Sequence, residues 1–296
     1  MTDQDGVLMV LAIIDGILVG GVYALMAVGL TLIFGVLDII NIAQGVLVIL
    51  GAYLSYSLFT KAHIDPYIGL LITVPAMFVI GVVIHWAFIR RLRGTERTSM
   101  TLLVTYAVGL IIEGVLYKLY GATNVQLLPS YGNSSFSLFG NYVQWVYVWD
   151  FLLAVLLIGA VYVLLYRTRF GRSVRATMQD QTAARLVGID VNRVAALTFG
   201  IGVAVTAAGG MAFGITNAFN PNSGYDLISR LLSIIILGGM GSVGGALGAS
   251  LFMLTLESVV SIWQPQWAVA VYYAALVIVL LYRPTGLFGQ KAVRAQ

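Results

Sequence analysis

The sequence contains no cysteine and very few charged residues, and each shortage excludes a class of protein. Without cysteine, the 296-residue chain can form neither a disulfide nor a thiolate metal site. Charged residues make up only 9% of the chain, whereas soluble domains contain about 25%. A soluble fold of this size cannot cover its surface with so few charges. Because 60% of the residues are hydrophobic, we expect lipid to be the solvent for most of the chain.

Functional nucleotide-binding and catalytic motifs are also missing. No G-x-x-x-x-G-K-[ST] sequence occurs, so we do not expect the chain to bind ATP through a P-loop. Residues 239–244 match G-x-G-x-x-G, but they lie between two apolar runs, whereas the dinucleotide fingerprint follows a strand. No Ser, His and Asp cluster and no metal-ligand spacing indicates catalysis. We therefore predict a protein that is not an enzyme and has no cofactor.

Long apolar segments dominate what the sequence does contain. A spanning helix needs about 20 apolar residues, and seven segments supply them: 7–34, 42–60, 66–89, 100–119, 148–166, 194–216 and 267–282. Two shorter runs, 227–238 and 246–261, flank the glycine-rich residues 238–245. They cross the membrane twice or form a re-entrant pair. We predict an all-α polytopic membrane protein with eight or nine membrane segments, forming one transmembrane domain over residues 1–296.

The basic residues indicate an orientation. Cytoplasmic loops of membrane proteins collect Lys and Arg. Three clusters hold most of the basic residues: Arg90, Arg91, Arg93 and Arg97; Arg167, Arg169, Arg172, Arg175, Arg185 and Arg193; and Arg283, Lys291 and Arg294. All three lie inside if the N-terminus is outside and the C-terminus is cytoplasmic. The basic surplus is then topological, and no nucleic-acid partner is predicted.

Two segments share an interrupted pattern. Residues 30–53 and 231–252 each run apolar, break at glycine and polar residues, and become apolar again. Paired broken segments in the two halves of a chain are typical of helices that line a solute path, because irregular backbone at membrane depth needs protein or water beside it. The alternative is that the glycines only allow close helix packing. We favour the path for both breaks, and packing for Gly210 and Gly214.

Charges inside membrane segments are rare and usually functional. Asp15, Glu113, Arg230 and Glu257 lie in apolar segments, and Asp38 lies in the first break. Glu113 is the deepest on this topology. A packing role for Glu113 is favoured over solute contact, but we keep Glu113 among the candidate pathway residues.

Two polar segments lie outside the apolar runs. Residues 119–149 contain no charge and are predicted to lie outside, as a plain connection or as a docking surface for an external partner. Residues 167–193 form a cytoplasmic loop, in which a short helix is predicted to end near Gly188, since glycine favours helix termination. That helix either anchors the neighbouring spans or couples the chain to a motor subunit.

Several motifs together resemble the LivH family, the permease subunits of ABC importers for branched-chain amino acids. They are residues 23–35 (YALMAVGLTLIFG), 40–45 (INIAQG), 51–53 (GAY), 238–242 (GGMGS) and 283–289 (RPTGLFG). They occur in order over nearly the whole chain. Residues 182–188 also resemble the coupling loop of importer permeases, with Thr182 where glutamate is usual.

The resemblance implies a bacterial inner-membrane permease that carries branched-chain amino acids. Its implied partners are membrane lipid, a second permease that is identical or homologous, two cytoplasmic ABC ATPases and an extracytoplasmic solute-binding protein. The implied pathway residues are Asp38, Asn41, Gln44, Gly45, Gly239, Gly241 and Ser242, and the implied ATPase-coupling residues are Arg175, Ala183, Ala184, Arg185 and Gly188.

The sequence departs from the family pattern within the proposed path. Gln44 replaces a common histidine, and Val46 stands where relatives often have an acidic residue. Related permeases for urea, short amides or small organic acids share much the same motifs, so these solutes are alternatives. An ion-coupled secondary carrier or a passive channel is an alternative of another class, for which Asp15, Glu113 and Glu257 are candidate ion-site residues.

Overall fold

A computed structural model describes residues 3–92, 97–132, 134–138, 141–283 and 285–287. The described part consists of helices and one short hairpin. The elements are α1 (Asp3–Leu37), α2 (Gln44–Ala62), α3 (Pro66–Ala87), α4 (Arg97–Tyr120), β1 (Ser135–Leu138), β2 (Asn141–Gln144), α5 (Trp145–Arg167), α6 (Arg169–Gln179), α7 (Gln181–Leu186), α8 (Val191–Thr216), α9 (Gly224–Gly238), α10 (Val243–Trp263) and α11 (Pro265–Tyr282).

Eight of the described helices are long and apolar enough to cross a membrane: α1 to α5, α8, α10 and α11. This confirms the prediction of a polytopic, all-α, multi-pass membrane protein. Each of the nine predicted apolar segments corresponds to one helix. The short α9 has 15 residues, which at 1.5 Å per residue is about 22 Å, less than the roughly 30 Å of hydrocarbon in a bilayer. The arrangement of residues 227–261 as two crossings or a re-entrant pair stays a prediction.

The helices α1 and α8 form the centre of the bundle, and α3, α4, α5 and α11 form its rim. Most of the apolar stretch of α1 and of α8 is buried within the chain, whereas little of α11 is. Exposed rim side chains such as Leu71, Leu156 and Leu281 suit lipid, which is as apolar as leucine. The rim therefore needs no partner protein to explain its hydrophobic surface.

Glycines set the spacing between the central helices. A Cβ on Gly16 would collide with the backbone of Thr255 on α10, and one on Gly210 would collide with the Val48 carbonyl on α2. Small residues at such positions let membrane helices approach backbone to backbone. The close helix packing predicted for Gly210 is therefore confirmed, whereas Gly214 packs mainly against the side chains of Leu127 and Phe219, which lie outside the helices.

Both predicted breaks are present as irregular backbone. The first joins α1 to α2 through residues 38–43, and Asp38 adopts a left-handed conformation with φ of 53°. The second joins α9 to α10 through residues 239–242, where Gly239 and Gly241 have φ of 91° and 85°. Left-handed backbone is unfavourable for residues with a side chain and open to glycine, which explains why glycine is present twice in the second break.

The inner polar segment differs from its prediction in one respect. It forms two short helices, α6 and α7, where one was expected. Asp180 separates them, because its backbone is extended and its Oδ1 accepts hydrogen bonds from the amides of Thr182 at 2.7 Å and Ala183 at 3.0 Å. An aspartate in this position begins a new helix by satisfying its free amides. The predicted helix end near Gly188 is confirmed.

The uncharged segment 119–149 contains structure that the sequence did not indicate. Strands β1 and β2 pair antiparallel, with Phe136 opposite Val143. Trp145 and Trp149 follow on α5 and are exposed, as expected for side chains at a membrane interface. Burial raises the pKa of Tyr131 in this segment above its ordinary value, and the neighbouring Asp65 adds to the rise.

Candidate functional site

The first break is tied to the centre of the bundle by two buried amide side chains. Asn41 donates through Nδ2 to Gln44 Oε1 at 2.8 Å, and Gln44 donates through Nε2 to Thr206 Oγ1 at 2.5 Å. Thr206 in turn donates to the Gly202 carbonyl within α8 at 2.8 Å. Asn41 and Gln44 are completely buried within the chain. In this structure they hold α2 on α8, and their place on a solute path stays a prediction.

Gly45 and Glu113 connect the same region to α9. A Cβ on Gly45 would collide with the Gly224 carbonyl at the start of α9. One residue further on, Tyr225 donates its hydroxyl hydrogen to Glu113 Oε2 on α4 at 2.7 Å. Glu113 is 9% exposed. This bond gives Glu113 the helix-fixing contact that was favoured from the sequence.

The second break lies against the C-terminal end of α1, which leads into the first break. A Cβ added to Gly35 would lie 3.6 Å from the Gly241 Cα. Ser242 begins α10 by accepting a hydrogen bond from the Gly245 amide at 3.0 Å. The amide of Leu287 donates to the Leu237 carbonyl at 2.7 Å, so the turn after α11 supports the second break.

The inner polar segment, which forms α6 and α7, also reaches this region. The Met178 side chain of α6 contacts Gly35, and its Cε lies 3.9 Å from the Cβ position of Gly241. The Gln181 side chain of α7 donates to the Val36 carbonyl at 2.9 Å. The last four carbonyls of a helix lack partners within it, so Gln181 satisfies a carbonyl that α1 leaves free.

The predicted coupling residues divide into buried and exposed positions. Arg175 donates to the Leu165 carbonyl, and its guanidinium lies 4.8 Å from the Tyr166 ring centre, so it holds α6 against α5. Ala184 is buried within the chain, whereas Ala183 and Arg185 are exposed. Gly188 has a φ of 84° and ends α7.

The end of the bundle opposite the second break contains a cavity of about 910 Å³. Its lining includes Asp15, Asp226, Arg230 and Glu257. Arg230 pairs with Glu257 through two bonds, from Nη1 to Oε2 at 2.5 Å and from Nη2 to Oε1 at 2.8 Å. Two of the intramembrane charges noticed in the sequence therefore neutralise each other.

Comparison with known proteins identifies the family. A family profile described as the permease component of the branched-chain amino acid transport system matches residues 12–280. The chain belongs to this family. Since the match covers most of the chain and eight helices suit a membrane, the protein is a multi-pass membrane permease component.

Individual relatives align over nearly the whole permease. It is 27% identical to the high-affinity branched-chain amino acid transport permease protein BraD of Pseudomonas aeruginosa, over 95% of this chain and 96% of that protein. It is 28% identical to LivH of Escherichia coli K12, over 94% and 95% of the two chains. A solved structure, PsaBC of Streptococcus pneumoniae with a Fab, covers 90% of this chain and 89% of that one, at 12% identity and a TM-score of 0.49.

The structure groups the predicted pathway residues into two sets. Asn41, Gln44 and Gly45 lie with Thr206 and the start of α9, with Glu113 joined to them through Tyr225. Asp38, Gly239, Gly241 and Ser242 lie at the two breaks near the end of α1. Sequence reasoning missed Met178, Gln181, Thr206 and Tyr225. None of these residues is unusual in its local sequence, and only the packing of distant helices gives them their contacts.

Proposed function

We propose that this permease forms the translocation pathway of a bacterial ABC importer for branched-chain amino acids. ATP hydrolysis is supplied by two separate cytoplasmic ATPase subunits, and an extracytoplasmic binding protein delivers the solute. A second permease subunit, identical or homologous, completes the pathway. Support comes from the family and from relatives named as branched-chain amino acid permeases over the same length.

The observation that carries the proposal is the contact of the polar inner segment with the end of α1, which leads into the first break, and with the second break. Met178 lies against Gly35 and near Gly241, and Gln181 is bonded to Val36. A displacement of α6 and α7 must therefore move the end of α1 and the second break, or rupture these contacts. Packed interfaces change between discrete arrangements and do not deform continuously. An ATP-driven pathway requires such a link between its inner surface and its membrane helices. A channel or an ion-coupled carrier does not require one.

The exposed end of α7 is the surface we assign to the ATPase. Leu186 and Val187 are 84% and 76% exposed, directly before the turn at Gly188, and Ala183 and Arg185 extend the same surface. In this assignment Ala184 and Arg175 act from inside the chain, because one is buried and the other bonds to α5. The coupling segment 167–193 is then cytoplasmic, the C-terminus is cytoplasmic and the N-terminus is outside.

The proposal is tested in the assembled importer, reconstituted in vesicles with its binding protein. We expect the ATPases to co-purify with the permease and leucine uptake to require ATP. Met178→Ala and Gln181→Ala remove the contacts with the end of α1 and the second break but leave the exposed surface of α7 intact. They should keep the ATPase complement and lose most of the uptake per ATP hydrolysed.

The matched control is Gln179→Ala, since Gln179 lies between Met178 and Gln181 and its side chain is exposed on α6. The Gln179→Ala permease should transport leucine normally. Leucine uptake without ATP or without co-purified ATPases would instead support an ion-coupled carrier or a channel. ATP-dependent uptake of urea, an amide or an organic acid, with no uptake of leucine, would keep the importer and replace its solute.

A further inference from the structure

The large cavity lies among helix ends that face the same end of the bundle. It is bounded by the N-terminal half of α1, the start of α9, the end of α10, the start of α11 and strand β2. Its volume of about 910 Å³ falls within the roughly 300–1,000 Å³ of ligand-binding clefts. On the proposed orientation it opens outside, where a binding protein would release solute.

The charges in this cavity are unbalanced. Asp15, Asp226 and Glu257 supply three carboxylates, and Arg230 supplies one guanidinium, so the lining carries a formal charge of −2. The ion pairs between described residues are Arg230 with Glu257 and Arg193 with Asp190. Asp15 and Asp226 therefore lack a cationic partner in the described part of the chain. A carboxylate without a cationic partner in a membrane protein needs water or a ligand to solvate it.

Arg230 keeps hydrogen-bonding capacity for a ligand. Guanidinium has five N–H donors, and the two bonds to Glu257 engage one hydrogen each of Nη1 and Nη2. The Tyr272 ring lies 5.4 Å from the guanidinium, and its hydroxyl donates to the Arg230 carbonyl at 3.1 Å, so the residue is held from two sides. Its side chain is 21% exposed, which leaves it accessible from the cavity.

Asp226 lies one helical turn before Arg230 on α9. Residues four apart share a helix face, with Cβ atoms about 5–6 Å apart. The cavity thus presents a carboxylate and a guanidinium side by side, with Leu227 and Leu254 among the apolar residues lining it.

We propose that this cavity is a transient binding site for a zwitterionic α-amino acid with an apolar side chain. Asp226 receives the ammonium group, and Arg230, held by Glu257, receives the carboxylate. Asp15 adds to the negative potential that draws the ammonium group in. The leucines contact the apolar side chain. This assignment rests on the proposed importer function and deepens it by choosing among the candidate solutes. The net negative charge of the cavity repels organic acids. Neutral amides carry no charged group that could pair with Asp226 or Arg230.

The charge of the cavity is measured with a reporter cysteine, because the native chain has none. Ser258 lines the cavity and is uncharged, so the thiol of Ser258→Cys reports the local potential without changing the charge of the cavity. Thr123→Cys, exposed in the loop after α4, gives the intrinsic reactivity of each reagent. In the assembled importer, a cationic methanethiosulfonate should react faster than an anionic one at Ser258→Cys. After normalisation to Thr123→Cys, the preference should be about tenfold or more.

Asp226→Asn in the Ser258→Cys background should lower that preference at least about twofold, since it removes one of the focusing charges. Asp190→Asn is the control, because Asp190 is exposed at the start of α8 and lies outside the cavity lining. Equal normalised rates for the two reagents, or no effect of Asp226→Asn, would overturn the charge assignment.

Solute recognition is measured by protection of Ser258→Cys. Leucine at about ten times its dissociation constant should slow modification about tenfold, because nine-tenths of the sites are then occupied. The comparators are 4-methylpentanoate, which lacks the ammonium group, and 3-methylbutylamine, which lacks the carboxylate, and both should protect far less. Equal protection by 4-methylpentanoate, or none by leucine, would overturn the site. ATP-dependent leucine uptake, measured on the same preparation, shows separately whether the importer function holds.

Discussion

The turn at Gly188 offers the most direct test of how the inner segment is shaped. Gly188 has a φ of 84°, and beyond its two chain neighbours no residue has an atom within 4 Å of the Cβ that a substitution would add. A side chain at this position therefore meets no steric obstacle, and its cost is the backbone conformation alone. That cost is about 1–2 kcal/mol for an ordinary L-residue, and asparagine tolerates the left-handed region better than most residues.

We expect Gly188→Val to shift the turn and Gly188→Asn to preserve it. If the ATPase binds only the native turn, the strain reduces its affinity by a factor of about 5–30, and uptake falls with it. Gly188→Trp should behave like Gly188→Val, because its ring has open space and the same backbone strain. Each permease variant is titrated with purified ATPase, and leucine uptake is measured in reconstituted vesicles.

Gly159→Val is the matched control, since Gly159 is exposed on α5, has open space around it and lacks a positive φ. It should bind the ATPase normally. Equal affinities of Gly188→Val and Gly188→Asn for the ATPase would refute the conformational argument. Normal transport by Gly188→Val and Gly188→Trp with a full ATPase complement would remove α7 from the coupling surface.

Three further outcomes follow from the packing and the charges. Gln44→Ala removes two buried hydrogen bonds, and each such bond stabilises a membrane bundle by about 0.6 kcal/mol and at most about 1.7 kcal/mol. The substitution should therefore lower the melting temperature of the detergent-purified permease. An unchanged melting temperature would mean that these bonds add nothing to stability. Gly45→Leu should abolish folded protein on size-exclusion chromatography, because its Cβ meets the Gly224 carbonyl, while Gly114→Leu, which has open space, should not. A reporter fused after Gln296 should be active in the cytoplasm, and a periplasmic signal would contradict the proposed orientation.

Much of the architecture follows from local features of the sequence. Hydropathy over about 20 residues identifies each span, because a helix in lipid satisfies its own backbone and needs only apolar side chains. The two breaks and the end of α7 were likewise predictable, since glycine and aspartate act on the backbone where they stand. The division of α6 from α7 was missed, because an aspartate interior to a polar segment begins a helix only if its side chain reaches the next amides.

The family resemblance was also visible in the sequence, as ordered motifs that the profile match over residues 12–280 supports. By contrast, the contacts that give individual residues their roles join positions far apart in the chain. Tyr225 and Glu113 are separated by 112 residues, and Gln181 and Val36 by 145.

The sequence alone therefore determined the class of protein, the number of apolar segments, the places where helices break and the family. The tertiary structure decided that Gln44 is bonded to Thr206 with Asn41 buried beside it, that α6 and α7 contact the end of α1 and the second break, and that Arg230 pairs with Glu257 and not with Asp226 on its own helix. The physical reason is that hydropathy and backbone preference act over one or two helical turns. Which side chains meet depends on how the glycine surfaces of α1, α2, α8, α9 and α10 pack together.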